Sequence, residues 1–318
     1  MALILANDGI DPEGKLLLEK AGFVVQTEKV AQQDLAQFIS TNKVVAVLVR
    51  SATQITAVEL SSYDGLKVIG RAGVGLDNID LNAAKASGIA VVNTPAASSQ
   101  SVAELSLAHL FALARFIHLS NREMPVSGHD GFDKLKKSFS AGWELQGKTL
   151  GIIGFGRIGQ ALAKMSLGLG MNVTMYDPFV QRCDLEIELP NTIRFRTTIE
   201  SMGFDEVITT ADVISFHVPK PKGGAMIGKE ELDAMKTGVV LLNASRGGVI
   251  DEIALLEALD SGKVAGAGLD VFENEPTPRP ALLHHPRVSV TPHIGASTME
   301  AQARIGIELA EKVIATIG

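Results

Sequence analysis

Short apolar runs alternate with amphipathic stretches along most of this chain, and glycine, proline or asparagine punctuates the junctions. In the first hundred residues the pattern predicts strands over Leu3 to Ala6, Phe23 to Gln26, Val44 to Val49, Lys67 to Gly70 and Ile89 to Val92. Helices are predicted between them, over Pro12 to Ala21, Asp34 to Ser40, Thr56 to Ser62 and Leu81 to Ala86. Repeated strand–helix units imply a parallel sheet covered by helices on both faces.

Asn93-Thr-Pro95 marks a break. Ser98 to Arg115 then reads as one long helix that is apolar on more than one side, so it is either deeply buried or shared with a partner subunit. Residues 121–142 read as irregular, because Pro125 and several glycines interrupt them. Their cluster of Lys134, Lys136 and Lys137 fits a solvated face better than an anion site.

A second series of units starts at Lys148. Strands are predicted over Leu150 to Ile153, Asn172 to Tyr176, Val213 to His217, Val239 to Asn243, Gly266 to Asp270 and Val288 to Thr291. Helices are predicted over Gln160 to Leu169, near Thr198 to Met202, and over Glu230 to Met235 and Glu252 to Ser261. A last helix runs from Ser297 to Ile317. The fold class is α/β, with two doubly wound parallel-sheet domains. Residues 98–293 form one domain, inserted into another made of 1–97 and 294–318.

Bulk properties narrow the partners. The 318 residues are 46% hydrophobic, enough to fill two cores. A net charge of −7 argues against nucleic acid as the main partner. The amino terminus lacks a basic leader, and no apolar run reaches membrane-spanning length. Cys183 is the single cysteine, which excludes an intrachain disulfide and a thiolate metal cluster. A reducing compartment, the cytoplasm, follows as the expectation.

Chemistry concentrates where strands end. Gly154-Phe-Gly156-Arg157-Ile158-Gly159 lies between a buried strand and a helix start, the context of a dinucleotide fingerprint. Gly154 makes the turn, Gly156 admits a pyrophosphate, and Gly159 lets the helix lie close to its strand. The helix N-terminus favours the phosphate charge. Asp177 follows the next predicted strand, where a carboxylate should meet the adenosine ribose hydroxyls and repel a 2′-phosphate, which argues for NAD over NADP; Arg182 nearby argues the other way.

Arg246, Glu275 and His293 each stand just past a predicted strand end, on the edge that carries the glycine turn. Hydride transfer from an alcohol needs a base, and the ordinary pKa of histidine fits. A neighbouring carboxylate favours the imidazolium, and a guanidinium grips a carboxylate with two prongs. Singly, each has a plainer reading: a loop salt bridge for Arg246, a turn carboxylate for Glu275, a capping residue for His293. In the first half, Arg50 and Ser51 at a strand end, with Arg71 and the N–H groups of Gly73, Val74 and Gly75, form a plausible anion nest. Surface or interdomain salt bridges are the plainer reading of these arginines.

Arg71-Ala-Gly-Val-Gly-Leu-Asp-Asn-Ile-Asp80, Asn93-Thr-Pro95, Ala103-Glu-Leu105, Gly147 to Gly159, Asn243-Ala-Ser-Arg-Gly-Gly248, Gly268-Leu-Asp-Val-Phe-Glu273 and Thr291-Pro-His-Ile-Gly295 resemble, in order, the D-isomer-specific 2-hydroxyacid dehydrogenases. The resemblance covers nearly the whole chain. It implies a Rossmann NAD domain inserted into a flavodoxin-like substrate domain, with Arg246 binding the substrate carboxylate. It makes His293 the acid/base, Glu275 its partner, and Asp270 with the backbone at Ala244 the holders of the nicotinamide carboxamide. His217 begins a segment that resembles a cofactor-lining loop. Within the family the chain is most similar to the members that oxidise 3-phosphoglycerate to 3-phosphohydroxypyruvate in serine synthesis. Glyoxylate, hydroxypyruvate or another D-2-hydroxy acid is the alternative substrate. An NAD-sensing, corepressor-like binding protein is a further reading, weakened by the lack of tails or partner motifs. The resemblance also implies a homodimer through the 98–115 helix, and two domains around a cofactor imply hinge closure near residues 93–98 and 292–297. Ala96 and Ser98 depart from the family's usual glycine and asparagine, and no C-terminal serine-sensing domain is expected.

Overall fold

The computed structural model describes residues 2–188 and 193–318. The chain forms two compact units, Met1–Ser101 with Ala296–Gly318, and Val102–Gly295.

The first unit contains β1 (Leu3–Ala6), α1 (Pro12–Lys20), β2 (Val24–Gln26), α2 (Leu35–Asn42), β3 (Val44–Val49), α3 (Ala57–Leu60), β4 (Val68–Arg71), α4 (Leu81–Ala86) and β5 (Ala90–Asn93). Its sheet runs β2-β1-β3-β4-β5 with every neighbour parallel, the flavodoxin-like order. Alternate residues go to opposite faces. Leu5, Val47, Val49 and Ile69 pack with Leu35 and Ile39 of α2 on one side. Ile4, Ala6, Ala46, Leu48 and Val68 pack with Leu18 and with Leu309, Ala310 and Val313 of the chain's last helix on the other. That last helix, Met299–Ile317, starts from Thr298, whose side chain accepts from Ala301 N. Lys312 Nζ also donates to Asn93 O, tying it to the end of β5.

The second unit begins within α5 (Ser99–Ala114), followed by α6 (Ile117–Ser138), β6 (Thr149–Ile153), α7 (Arg157–Gly168) and β7 (Asn172–Tyr176). After them come β8 (Arg182–Glu188), β9 (Arg194–Glu200), α8 (Phe204–Thr210), β10 (Val213–Phe216), α9 (Lys229–Ala234), β11 (Val239–Asn243), α10 (Glu252–Ser261), β12 (Val264–Leu269), α11 (Pro280–His284) and β13 (Val288–Val290). The chain's last helix is therefore α12.

This sheet runs β13-β12-β11-β10-β6-β7, again all parallel. Ser201 bridges Met175 in parallel beyond β7, a remnant of the outer strand in the Rossmann order. The order reverses between β6 and β10, the switch point where such sheets bind ligands beyond their strand ends. Both faces are buried. Ile153, Ile214, Phe216, Val239 and Leu241 fill one core, and Leu150, Ile152, Val213, Val240 and Leu242 fill the other. This explains the near-continuous apolar runs.

Two sequence expectations fail here. The helix expected near Thr198 to Met202 is instead the end of β9, paired antiparallel with β8 in a hairpin. Leu185 and Ile199 bury one face of it, while the other carries charge pairs such as Arg194 with Glu188. Residues 121–142, expected to be irregular, are mostly helix α6, with a break at Gly131. Pro125 is tolerated because α6 is exposed, so water can satisfy the carbonyl that proline leaves unpaired. Among the described residues no single helix is long and apolar enough to cross a membrane.

Candidate active site

The glycine turn follows β6. Gly154 has φ +93°, and a Cβ there would stand 2.4 Å from His217 O, so only glycine fits. A Cβ on Gly159 would stand 2.4 Å from Gly154 O, which fixes how closely α7 lies on the turn. Gly156 differs: a Cβ there meets nothing within 4 Å. It is the N-cap of α7 and offers no side-chain cap to the first N–H groups of the helix, at Arg157 and Ile158. Open space before uncapped helix donors fits a pyrophosphate.

Asp177 follows β7. Its Oδ2 accepts from Phe155 N at 2.7 Å, and its Oδ1 from Phe179 N at 2.8 Å and Val180 N at 3.1 Å. The carboxylate that sequence assigns to ribose therefore also holds the turn. A carboxylate has about four acceptor positions, so it keeps capacity for a hydroxyl. His217, past β10, has Nε2 2.9 Å from Ser215 Oγ, and burial lowers its pKa to about 4. It is a neutral ring at neutral pH, set against the glycine turn through its carbonyl.

Past β11, Asn243 shapes the loop that carries Ala244 and Arg246. Its Oδ1 accepts from Ser245 N and Ser245 Oγ, and its Nδ2 donates to Arg246 O at 2.9 Å. Arg246 donates to Ser245 O. A Cβ on the next residue, Gly247, would stand 1.8 Å from Phe272 O. The loop after β11 thus lies backbone to backbone on the loop after β12, which carries Glu275.

Glu275 and His293 meet. Glu275 Oε1 accepts from Phe272 N at 3.0 Å, and Oε2 lies 2.8 Å from His293 Nδ1. The hydrogen bond to Glu275 raises the His293 pKa; partial burial opposes it, the charges of Glu275 and Asp270 add to it, and Arg246 opposes. Desolvation pushes the Glu275 carboxyl up, but the hydrogen bonds from His293 and Phe272 N, with the charges of His293 and Arg246, outweigh it, so its pKa is lowered. Arg246 therefore acts electrostatically on both members. The Glu275 loop is also fastened to α10: Glu252 N donates to Glu273 Oε1, and Glu273 N donates to Glu252 Oε1.

His293 has φ +54°, rare for a residue with a Cβ. Its N donates to Asp270 O at 2.9 Å, while Ile294 N and Gly295 N donate to the Asp270 carboxylate. Asp270 is thus a scaffold for the His293 loop. The sequence assigns no supporting role to Asn243, Gly247 or Thr291, although all three carry a signal as members of motif stretches at strand ends.

The first unit carries the other candidates. Arg50 and Ser51 follow β3; Arg50 N donates to Asp8 Oδ2 at 2.7 Å, and Asn78 Nδ2 donates to Arg50 O. Arg71 closes β4 and donates to Ala72 O. Gly73 N donates to Arg71 O at 2.9 Å, which removes one of the three N–H groups expected of the nest and leaves those of Val74 and Gly75.

A glycine turn at a Rossmann switch point, with a histidine–carboxylate pair and an arginine charge in the same unit, defines a nicotinamide-dinucleotide oxidoreductase. Residues 107–295 match the family described as D-isomer specific 2-hydroxyacid dehydrogenase, NAD binding domain. The chain is 44% identical over 317 residues to hydroxypyruvate reductase of Thermotoga maritima, covering 98% of this chain and 97% of that one. It is 40% identical over 314 residues to D-3-phosphoglycerate dehydrogenase of Archaeoglobus fulgidus, covering 98% of this chain but 56% of that longer one. D-mandelate dehydrogenase of Rhodotorula graminis superposes with a TM-score of 0.85 at 25% identity, covering 98% and 93%. The chain belongs to the D-isomer-specific 2-hydroxyacid dehydrogenase family and is an NAD-dependent oxidoreductase.

Proposed function

We propose that the chain interconverts 3-phosphoglycerate and 3-phosphohydroxypyruvate, with His293 exchanging the proton at the C2 oxygen. The contact between His293 Nδ1 and Glu275 Oε2 carries the reading. With Nδ1 committed to Glu275, Nε2 is the nitrogen left to serve the substrate oxygen. Glu275 favours the imidazolium that forms when His293 accepts the alcohol proton. Arg246 holds the substrate carboxylate through its guanidinium. NAD held there would supply the hydride acceptor for C2, and its reduced form the hydride donor in the reverse direction. Gly154, Gly156, Arg157, Ile158, Gly159, Asp177, His217, Ala244 and Asp270 are the residues assigned to it.

The phosphorylated substrate rests on Arg50, Ser51, Arg71 and the Gly73–Gly75 loop as phosphate-holding groups of the first unit. Their charge and their turn at strand ends support this. A second reading, reduction of unphosphorylated hydroxypyruvate, is favoured by the Thermotoga maritima relative, which this chain matches over 97% of its length. Catalytic efficiency on 3-phosphohydroxypyruvate, hydroxypyruvate and glyoxylate, with Arg50→Ala alongside, decides between them. Phosphate recognition requires a selective loss for the phosphorylated substrate; equal activity on hydroxypyruvate and an unaffected Arg50→Ala favour the second reading. We also infer a homodimer through the α5–α6 region, where Phe111, Ile117, Met124, Val126 and Phe132 are exposed apolar residues. Light scattering at monomer mass would overturn that.

A further inference from the structure

His293 keeps a left-handed backbone only because its surroundings hold it. Three successive N–H groups, of His293, Ile294 and Gly295, end on Asp270: on its carbonyl at 2.9 Å, on Oδ1 at 2.8 Å and on Oδ2 at 2.9 Å. The orientation of the Asp270 carboxylate therefore sets where the His293 ring stands. Something must fix that carboxylate in turn. Thr291 Oγ1 lies 2.6 Å from Asp270 Oδ1.

Hydrogen counting extends the chain inward. A carboxylate only accepts, so the single hydroxyl hydrogen of Thr291 goes to Asp270. Thr291 Oγ1 can then only accept from its other neighbour, His109 Nε2, at 3.0 Å. His109 Nε2 must carry a hydrogen. In the neutral ring Nδ1 is then the acceptor, and Ser289 Oγ donates to it at 2.9 Å. Ser289, His109, Thr291 and Asp270 form one directed relay, each donating to the next. His109 is 4% exposed on α5. Burial lowers its pKa, the Asp270 charge opposes this, and His118 adds to it, so the ring stays neutral. The sheet leaves space for it: a Cβ on Gly268 of β12 would stand 2.6 Å from His109 Cβ.

We propose that His109, as the neutral Nε2–H tautomer, is a positioning residue that aligns Asp270 through Thr291 and thereby fixes the backbone that carries His293. It touches neither substrate nor cofactor. The proposal rests on the reading of His293 as the acid/base.

The test uses the full chain in three variants. His109→Gln places an amide N–H near the Nε2 position and keeps the donor to Thr291. His109→Leu removes it at similar size. Thr291→Val cuts the relay one step later. His109→Leu and Thr291→Val are each expected to lower kcat about 10-fold or more, since small misplacements of a reacting group are costly. KM for the 2-oxo acid should stay within about twofold, because the proposed substrate-binding groups are untouched. His109→Gln should retain most of the turnover, and the double variant His109→Leu/Thr291→Val should lose no more than either single one. Nitrogen-15 histidine spectra should show His109 as the neutral Nε2–H form, and the His293 titration should shift in His109→Leu. A lower melting temperature with unchanged kcat and an unchanged His293 titration would reduce His109 to packing. Equal loss in His109→Gln and His109→Leu, or an Nδ1–H tautomer, would overturn the relay. If the unaltered enzyme reduces no 2-oxo acid, the catalytic reading fails alone. The His293 titration in His109→Leu then still decides whether His109 positions that ring.

Discussion

Asp177 Oδ2 accepts a hydrogen bond from Phe155 N at 2.7 Å, so the carboxylate after β7 holds the middle of the glycine turn after β6. Replacing it removes the proposed ribose acceptor and a turn support together. Asp177→Ala is expected to weaken NAD about 10-fold or more, narrow the gap to NADP, and lower stability by about 1–3 kcal/mol through the orphaned N–H groups. Fluorescence titration with both reduced cofactors and a melting curve read these separately. Lost stability with an unchanged cofactor preference would confine Asp177 to holding the turn.

Gly156→Ala should split folding from binding in the opposite sense. A Cβ there meets nothing within 4 Å, so the melting temperature should stay near that of the unaltered chain. The methyl group would intrude on the space before α7, and NAD affinity should fall about 10-fold or more. Unchanged affinity would move the pyrophosphate away from this turn.

The pH dependence follows from His293 and Glu275. In the proposed reaction, reduction of a 2-oxo acid uses the His293 imidazolium, whose pKa is raised from the ordinary value of about 6.5. Reductive kcat/KM should hold up to that raised pKa and fall as pH rises through it; the oxidative direction should show the mirror limb. Glu275→Gln should move both limbs to lower pH. For stability, the His293 part of the pair is fully present below its unfolded pKa and is lost as pH rises through the folded one. The Glu275 part is present above its unfolded pKa and is lost as pH falls through its depressed folded one. The pair thus stabilises most between the two. Both side chains keep more than a third of their surface, so this contribution is small. Rate profiles whose limbs ignore Glu275→Gln would separate the pair from the chemistry.

His293→Ala should abolish most turnover, with a loss of about 100-fold or more, and leave NADH binding nearly intact. Equal loss of both by titration and steady-state kinetics would recast His293 as a support of the loop.

Leu309→Ala probes the first unit. Leu309 has no exposed surface and lies in the core shared by Ile4, Leu48 and Val68. The deletion should cost about 2–5 kcal/mol. A denaturation midpoint that barely moves would show that this core closes around the gap.

Much of the fold was legible because parallel strands buried on both faces read as apolar runs, and Val44–Val49 and Val239–Asn243 keep the bounds their sequences suggest. The hairpin of β8 and β9 differs from the helix expected there, although Leu185, Ile187, Phe195 and Ile199 alternate with polar residues at the period of a strand. Breakers in 121–142 do not end the helix, since a proline in an exposed helix leaves its orphaned carbonyl to water. The meeting of Glu275 and His293 was not readable from spacing. It comes from β12 and β13 being parallel neighbours whose loops leave the same edge. The roles of Asn243, Gly247 and His109 depend on which loops touch, and that is a property of the packed sheet rather than of any local motif.

The placement of α12 bears on how the protein is made. A ribosome releases residues 1–101 long before Leu309, Ala310 and Val313 exist, so one face of the first sheet stays open during synthesis. The second unit draws on nothing beyond Gly295. A released chain truncated after Gly295 should therefore leave β1 and β3 sensitive to protease while the Val102–Gly295 unit resists. Equal resistance of both would mean the first sheet finds temporary cover.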